Sequence, residues 1–151
     1  MFTLVPSIFF NPAEERKALA EVVELKETDK VGHIDIPQYE AVLIYKVDGD
    51  SSVSVPAIVE ILRKLPECRE YNKILCCRTG GFLNIAIAQG RNLLLANWYR
   101  ADDFTTAEYF IFLAMKSLQL NPEVSTLCWK GPLDAEDEMS LYRYFKAVDR
   151  I

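Results

Sequence analysis

Blocks of apolar residues, separated by polar turns, divide the sequence into short predicted strands and helices. Residues 2–10 are apolar, aromatic or β-branched around Pro6 and predict a buried strand. Asn11 and Pro12 are typical of a helix N-cap and a first helical position, so we expect a helix from there to about Leu25. Two further strands are predicted at residues 33–36 and 40–47, followed by a turn at Asp48-Gly49-Asp50 and a second helix at residues 54–66. Residues 1–70 are therefore predicted to form a β-α-β-β-α segment.

A different order of elements is predicted from residue 71 onward. Three apolar runs are joined by short turns and must therefore form an antiparallel meander, with strands at residues 73–78, 82–88 and 93–100. A helix follows to about Gln119, and Thr105 and Glu108 have the spacing of a capping box at its start. Residues 124–129 form a strand without room for a hairpin partner, so we expect it to pair in parallel. A final amphipathic helix is predicted over residues 135–148.

The order β-β-β-α-β-α predicts a fold class for the C-terminal half. It is the opening of the ribonuclease-H-like unit, from which the actin-like ATPases, sugar kinases and many nucleases are built. We therefore expect an α/β chain with a mixed sheet, organised as an N-terminal part (residues 1–70) and a ribonuclease-H-like part (residues 71–151).

Charge and composition argue against nucleic acid as a partner and against a membrane-spanning segment. The chain has 17 Lys and Arg against 22 Asp and Glu, for a net charge of −5, and half of its residues are hydrophobic. An acidic balance argues against nucleic-acid binding, because the phosphate backbone requires a basic face. We find neither a signal-peptide pattern nor an apolar run near the roughly 20 residues of a membrane span, so a cytoplasmic protein without a transmembrane segment is predicted.

The cysteines and the single histidine do not predict a metal site. Cys68, Cys76, Cys77 and Cys128 include no CxxC spacing, and His33 is the chain's one histidine. We interpret the cysteines as buried thiols that act as small hydrophobic residues, and His33 as a surface or edge-strand residue.

Particular runs of the sequence resemble a known family. The run 93–99 (Leu-Leu-Leu-Ala-Asn-Trp-Tyr), Asp102-Asp103 and the run 127–131 (Leu-Cys-Trp-Lys-Gly) are similar to an uncharacterised bacterial family, a domain of unknown function with an actin-like ATPase fold. The likeness covers nearly the whole chain. Longer members of that family have an additional N-terminal segment, which we expect this chain to lack. More remotely, the pattern is similar to the actin-like assembly proteins of type IV pili and type II secretion.

This resemblance implies where a nucleotide would bind. Actin-like ATPases hold MgATP with hairpin turns that place an Asp and glycines against the phosphates. The equivalent turn here would carry the phosphate candidates Arg78, Thr79, Gly80 and Gly81, with Arg78 and Thr79 where a carboxylate is expected. The alternative is a plain hairpin turn in which the glycines supply positive φ, and we prefer it.

Nuclease chemistry is not expected either. Two-metal cleavage requires clustered carboxylates, and the predicted strands 73–78 and 82–88 contain none. Asp102 and Asp103 are explained by helix capping. We therefore assign no catalytic residue, no metal ligand and no cofactor.

Two functional hypotheses remain. The first is a degenerate, non-catalytic actin-like domain that binds a protein partner or a second copy, with Trp98, Tyr99 and Arg100 as the candidate partner patch. A dimer through an edge strand at residues 2–10 is a related possibility. The second is a module that binds ATP and Mg²⁺, or transfers a phosphoryl group, and is completed by another chain or segment.

Overall fold

The computed structural model describes residues 1–47 and 55–151, so the predicted turn at Asp48-Gly49-Asp50 and the predicted helix start at Ser54 lie outside the described residues. The chain divides into two compact units, Met1–Val59 and Glu60–Ile151. The helices and strands, in chain order, are β1 (Phe2–Pro6), α1 (Glu15–Ala20), β2 (Lys30–Ile36), β3 (Ala41–Val47), α2 (Ala57–Lys64), β4 (Asn72–Thr79), β5 (Phe82–Gln89), β6 (Asn92–Arg100), α3 (Phe104–Ser117), β7 (Thr126–Trp129), α4 (Ala135–Tyr142) and β8 (Ala147–Arg150).

The first unit contains a three-stranded antiparallel sheet in the order β1-β3-β2. Helix α1 covers it, and Leu19 and Val23 pack against Ile44 of the central strand in a small core. His33 lies on the edge strand β2, as predicted, and its Nδ1 is 2.7 Å from Glu15 Oε2. The unit therefore joins its helix to its sheet by apolar packing and by a hydrogen bond between His33 and Glu15.

Two elements of this unit are shorter than predicted. The strand predicted over residues 2–10 ends at Pro6 and is followed by a 3₁₀ turn, in which the side chains of Ile8 and Phe9 are 85% and 73% exposed. The helix predicted to reach Leu25 ends at Ala20. After this end, the guanidinium of Arg16 donates to two carbonyls of the following loop, those of Lys26 and Asp29.

The second unit contains a five-stranded mixed sheet in the order β6-β5-β4-β7-β8. The antiparallel meander of β4, β5 and β6 is confirmed, and so is the parallel pairing of β7 with β4. The core lies between one face of the sheet and the helices α3 and α4, and includes Ile74, Ile85, Ile111, Leu127, Trp129, Leu141, Phe145 and Val148.

The end of the second unit differs from the prediction. The helix expected over residues 135–148 stops at Tyr142, and residues 147–150 form β8, which pairs in parallel with β7. Phe145 and Val148 are buried in the core from a turn and a strand, so their spacing suggested a helical stripe that is not present. The outer edge of β7 is thereby paired, and Ile151 N–H donates to Trp129 O.

The start of α3 also differs from the expected capping box. Asp103, and not Thr105, is the N-cap: its Oδ1 accepts from Thr106 N–H at 2.7 Å. Within the described ranges, no helix is both long and apolar enough to cross a membrane.

Candidate functional site

The candidate phosphate turn lies where β4 meets β5. Thr79 pairs with Phe82, and Gly80 and Gly81 between them have φ angles of +58° and +77°. Two consecutive left-handed residues are typical of a type I′ hairpin turn, whose twist matches that of the flanking strands. Turn geometry therefore accounts for both glycines without a ligand.

Arg78 joins this turn to the loop between β6 and α3. Its side chain is half-buried, and Nη1 donates to Ala101 O at 3.3 Å and to Asp102 O at 3.1 Å. Ala101 N–H in turn donates to Gly81 O at 2.8 Å. The guanidinium, carried near the carboxyl end of β4, therefore satisfies two main-chain acceptors just after the end of β6.

Two carboxylates lie within the electrostatic influence of Arg78. The hydrogen bond from Thr106 N–H lowers the pKa of Asp103, and the charge of Arg78 lowers it further. At the start of α4, burial raises the pKa of Asp137, the neighbouring Asp134 raises it too, and Arg78 opposes both. Asp134 caps α4 by accepting from Asp137 N–H at 2.8 Å. Both helices at this edge thus begin with an Asp cap that occupies one of their free amides.

The fold brings one further carboxylate to the turn. An added Cβ on Gly81 would lie 3.0 Å from Asp102 Oδ1, and Asp102 Oδ2 is 3.4 Å from Arg100 Nε. The residues of the turn itself contain no acid, as noted from the sequence, but Asp102 supplies one from 24 residues after Arg78. The sequence offered one indication of this second carboxylate: helix capping requires only one acidic residue, so the other member of the pair Asp102-Asp103 is available for another contact.

The three residues of the candidate partner patch lie along β6 and do not form one surface. Tyr99 faces the helices, where its ring stacks on Phe110 with centroids 4.5 Å apart. Trp98 is on the other side of the strand and makes an edge contact with Phe82 at 6.2 Å. Arg100 is the exposed member, with 75% of its side chain accessible, and pairs with Asp102.

Comparison with known proteins places the chain in a family. Residues 52–148 match the family described as "Protein of unknown function (DUF3822)". The chain belongs to this family. No curated protein matches this DUF3822 chain.

A solved structure shows the fold of the DUF3822 chain. It is the crystal structure of a protein from Bacteroides thetaiotaomicron VPI-5482, described as having an actin-like ATPase fold and unknown function. The TM-score is 0.82 at 18% sequence identity, and the likeness covers 99% of this chain. The predicted fold class is thereby confirmed. The chain spans 64% of the length of that protein.

The Gly80-Gly81 turn gives a first testable prediction for the DUF3822 chain. Gly81→Ala should destabilise it by about 1–3 kcal/mol, because a side chain at φ +77° is strained and its Cβ would lie 3.0 Å from Asp102 Oδ1, so the carboxylate must shift. Gly80→Asn should cost less, since an added Cβ at Gly80 meets nothing within 4 Å and Asn tolerates the left-handed region. Urea unfolding measures both.

A double variant isolates the steric part of this effect. Asp102→Ala in the Gly81→Ala background should recover some of the lost stability. Equal losses for the two glycine variants, or no recovery in the double variant, would show that the carboxylate does not lie against Gly81.

Proposed function

We propose that this DUF3822 chain is a non-catalytic actin-like domain that binds a partner protein by adding an extended segment to the edge of β6. The observations that carry the proposal are the length, the pairing and the exposure of this strand. Over the described residues, β6 is nine residues long and pairs with β5 and with no other strand. All its residues are half-buried or exposed, whereas six of the eight in β5 are buried.

The hydrogen-bond register identifies which main-chain groups are available for a partner. Ala101 donates to Gly81, so the opposed pairs that exchange hydrogen bonds with β5 are those of Tyr99 and Asn97. The N–H and C=O groups of Ala96 and Arg100 therefore point away from β5. The N–H of Trp98 is already accepted by Asn97 Oδ1 at 2.9 Å.

The composition of the strand favours association. The sequence Asn92–Arg100 contains no proline and no lysine, and Arg100 is its one charged residue. Charges, prolines and short length are the usual features that prevent edge strands from pairing with other chains. The register against β5 shifts between Leu93 and Leu95, and from Leu95 to Arg100 it is regular. This regular part of the edge is suited to strand addition, in which main-chain hydrogen bonds give affinity and alternate side chains give specificity.

The absence of catalysis is the second part of the proposal, and the use of Arg78 supports it. Nη1 of Arg78 donates to two main-chain carbonyls, and its charge faces Asp103 and Asp137. A guanidinium engaged in this way is less available to donate hydrogen bonds to a phosphate. The more remote resemblance to assembly proteins of pili and secretion is compatible with an interaction role, and a cytoplasmic location stays a prediction.

The position of Asp102 favours one alternative. Its carboxylate lies beside Gly81 and could help to hold a hydrated cation against a phosphate at the turn. A nucleotide-binding module completed by another chain or segment would then show a rise in melting temperature with ATP and Mg²⁺, and Asp102→Ala would remove this rise.

Two matched leucine variants test the proposed edge. Leu94 lies on β6 and Leu113 on α3, and they are 39% and 44% exposed. After affinity capture has identified a partner of the native protein, Leu94→Lys should weaken its binding roughly tenfold or more, because a lysine on an edge strand opposes strand addition. Leu113→Lys should bind as the wild type does, and so should retain the same measured Kd.

A second variant tests the candidate patch on the same strand. Trp98→Ala combined with Arg100→Ala should also weaken binding of the partner. Sedimentation of the purified chain shows whether that partner is a second copy. Equal binding by Leu94→Lys and Leu113→Lys would refute the β6 assignment. Nucleotide stabilisation that depends on Asp102 would instead support the alternative.

A further inference from the structure

Two cysteines that are 60 residues apart in the sequence line one cavity on the face of the sheet opposite the helical core. Cys128 lies in β7, opposite Leu75 of β4 and Asp149 of β8. Cys68 directly follows the 3₁₀ turn Leu65–Glu67 that precedes β4. Cys76 lies on the other face, in the core beneath α3 and α4. The fold therefore separates one pair of thiols from the buried core cysteine.

Cys68 and Cys128 line the same cavity, and each thiol shifts the pKa of the other. The S–H of Cys128 stabilises Cys68 as a thiolate and thereby lowers the pKa of Cys68. The ammonium of Lys73, which donates to Cys68 O and to Glu70 O, lowers it further, while burial, Cys76 and Asp149 act in the opposite direction. The interaction with Cys68, together with burial, raises the pKa of Cys128, so Cys128 keeps its proton.

A cavity gives solvent a route to this pair. It has a volume of about 260 Å³, and its lining includes Cys68, Cys128, Arg69 and Asp149. Cys68 and Cys128 are 4% and 3% exposed, so only a small part of each side chain is accessible to solvent. The cavity has room for a small oxidant such as hydrogen peroxide. Two thiols that share the lining of one cavity differ from structural thiols in a closed core.

We propose that Cys68 and Cys128 form a reversible intramolecular disulfide when the protein meets a hydroperoxide. Cys68 Sγ attacks the terminal oxygen of the hydroperoxide, the O–O bond breaks, and the alcohol leaves with the proton released by the Cys68 thiol. Cys128 Sγ then attacks the sulfenic acid at Cys68, the S–O bond breaks, and water leaves with the proton of Cys128. The two thiols lose two electrons, which reduce the hydroperoxide to alcohol and water. Two equivalents of a small thiol reverse the change.

Thiol counting and peptide mapping on the wild-type chain test this proposal directly. The reduced protein has four free cysteines, and treatment with hydrogen peroxide under native conditions should leave two that react with an alkylating reagent. Mapping should find the Cys68 and Cys128 peptides linked, and glutathione should restore all four thiols.

Single variants assign the order of attack. Cys128→Ser should leave a sulfenic acid on Cys68 that dimedone traps, whereas Cys68→Ser should give neither the trapped adduct on Cys128 nor the link. Cys77→Ser is the matched control: Cys77 is half-buried at the end of β4, and its loss should leave the disulfide intact.

Three results would overturn the proposal. The first is a thiol count that stays at four in the native protein while a denatured sample oxidises. The second is a disulfide that joins Cys76 or Cys77 in place of the named pair. The third is a link between different copies of the chain. Because all three are read from the wild-type protein, they do not depend on the folding of any variant.

Discussion

Trp129→Ala should destabilise the second unit by about 3–5 kcal/mol, the range measured for loss of a large aromatic side chain from a packed core. Trp129 is 2% exposed in β7, and its ring packs 5.8 Å from that of Phe104. Its Nε1 donates to Pro132 O at 3.1 Å, which holds the turn between β7 and α4. The variant therefore loses core contacts and also leaves a carbonyl without its donor.

The other tryptophan of the chain provides the matched control. Trp98 is half-buried on β6, so Trp98→Ala should cost clearly less than Trp129→Ala in the same urea titration. Fluorescence of the remaining tryptophan reports unfolding in each variant. Equal losses, or a larger loss for Trp98→Ala, would contradict the assignment of Trp129 to the core.

Arg78→Ala should lower the free energy of unfolding by about 1–3 kcal/mol, because it removes a charged donor from two main-chain carbonyls. These carbonyls, of Ala101 and Asp102, lie in the loop that positions the start of α3. The matched control is Arg91→Ala in the exposed turn between β5 and β6, which should stay near the wild type. Chemical denaturation measures both variants.

The same pair of variants separates a structural Arg78 from a phosphate-binding one. With a structural role, Arg78→Ala lowers stability equally in the presence and absence of ATP and Mg²⁺. Wild-type stability in the variant, together with the loss of a nucleotide-dependent shift in melting temperature, would contradict this role. It would support the nucleotide-binding alternative.

Local patterns in the sequence were sufficient for most elements of the fold. The meander of β4, β5 and β6 follows from turns too short for any pairing other than antiparallel. The parallel pairing of β7 follows from the lack of a neighbouring hairpin partner. The errors at the ends of helices and strands have a physical cause. Val148 has the same hydrophobicity in a helix as in a strand, so only its pairing with β7 determined that it belongs to β8.

The candidate site was less accessible to sequence reasoning. The turn residues Arg78, Gly80 and Gly81 could be named, because glycine and charge are visible in the chain. The partners of Arg78 are main-chain carbonyls, which every residue carries, so no sequence pattern identifies them. The use of its guanidinium therefore became visible only with the loop of Ala101 and Asp102 in place.

By itself, the sequence determined the order of strands and helices, the hairpin at Gly80-Gly81 and the burial of most cysteines, since each depends on residues close together in the chain. Tertiary structure decided that Asp102 lies beside Gly81, that Cys68 and Cys128 line one cavity and that β6, among the strands described, lies at the edge of its sheet. The reason is the same in all three cases. Contacts between distant residues depend on sheet order and register, and a shift of one residue would move each side chain to the opposite face.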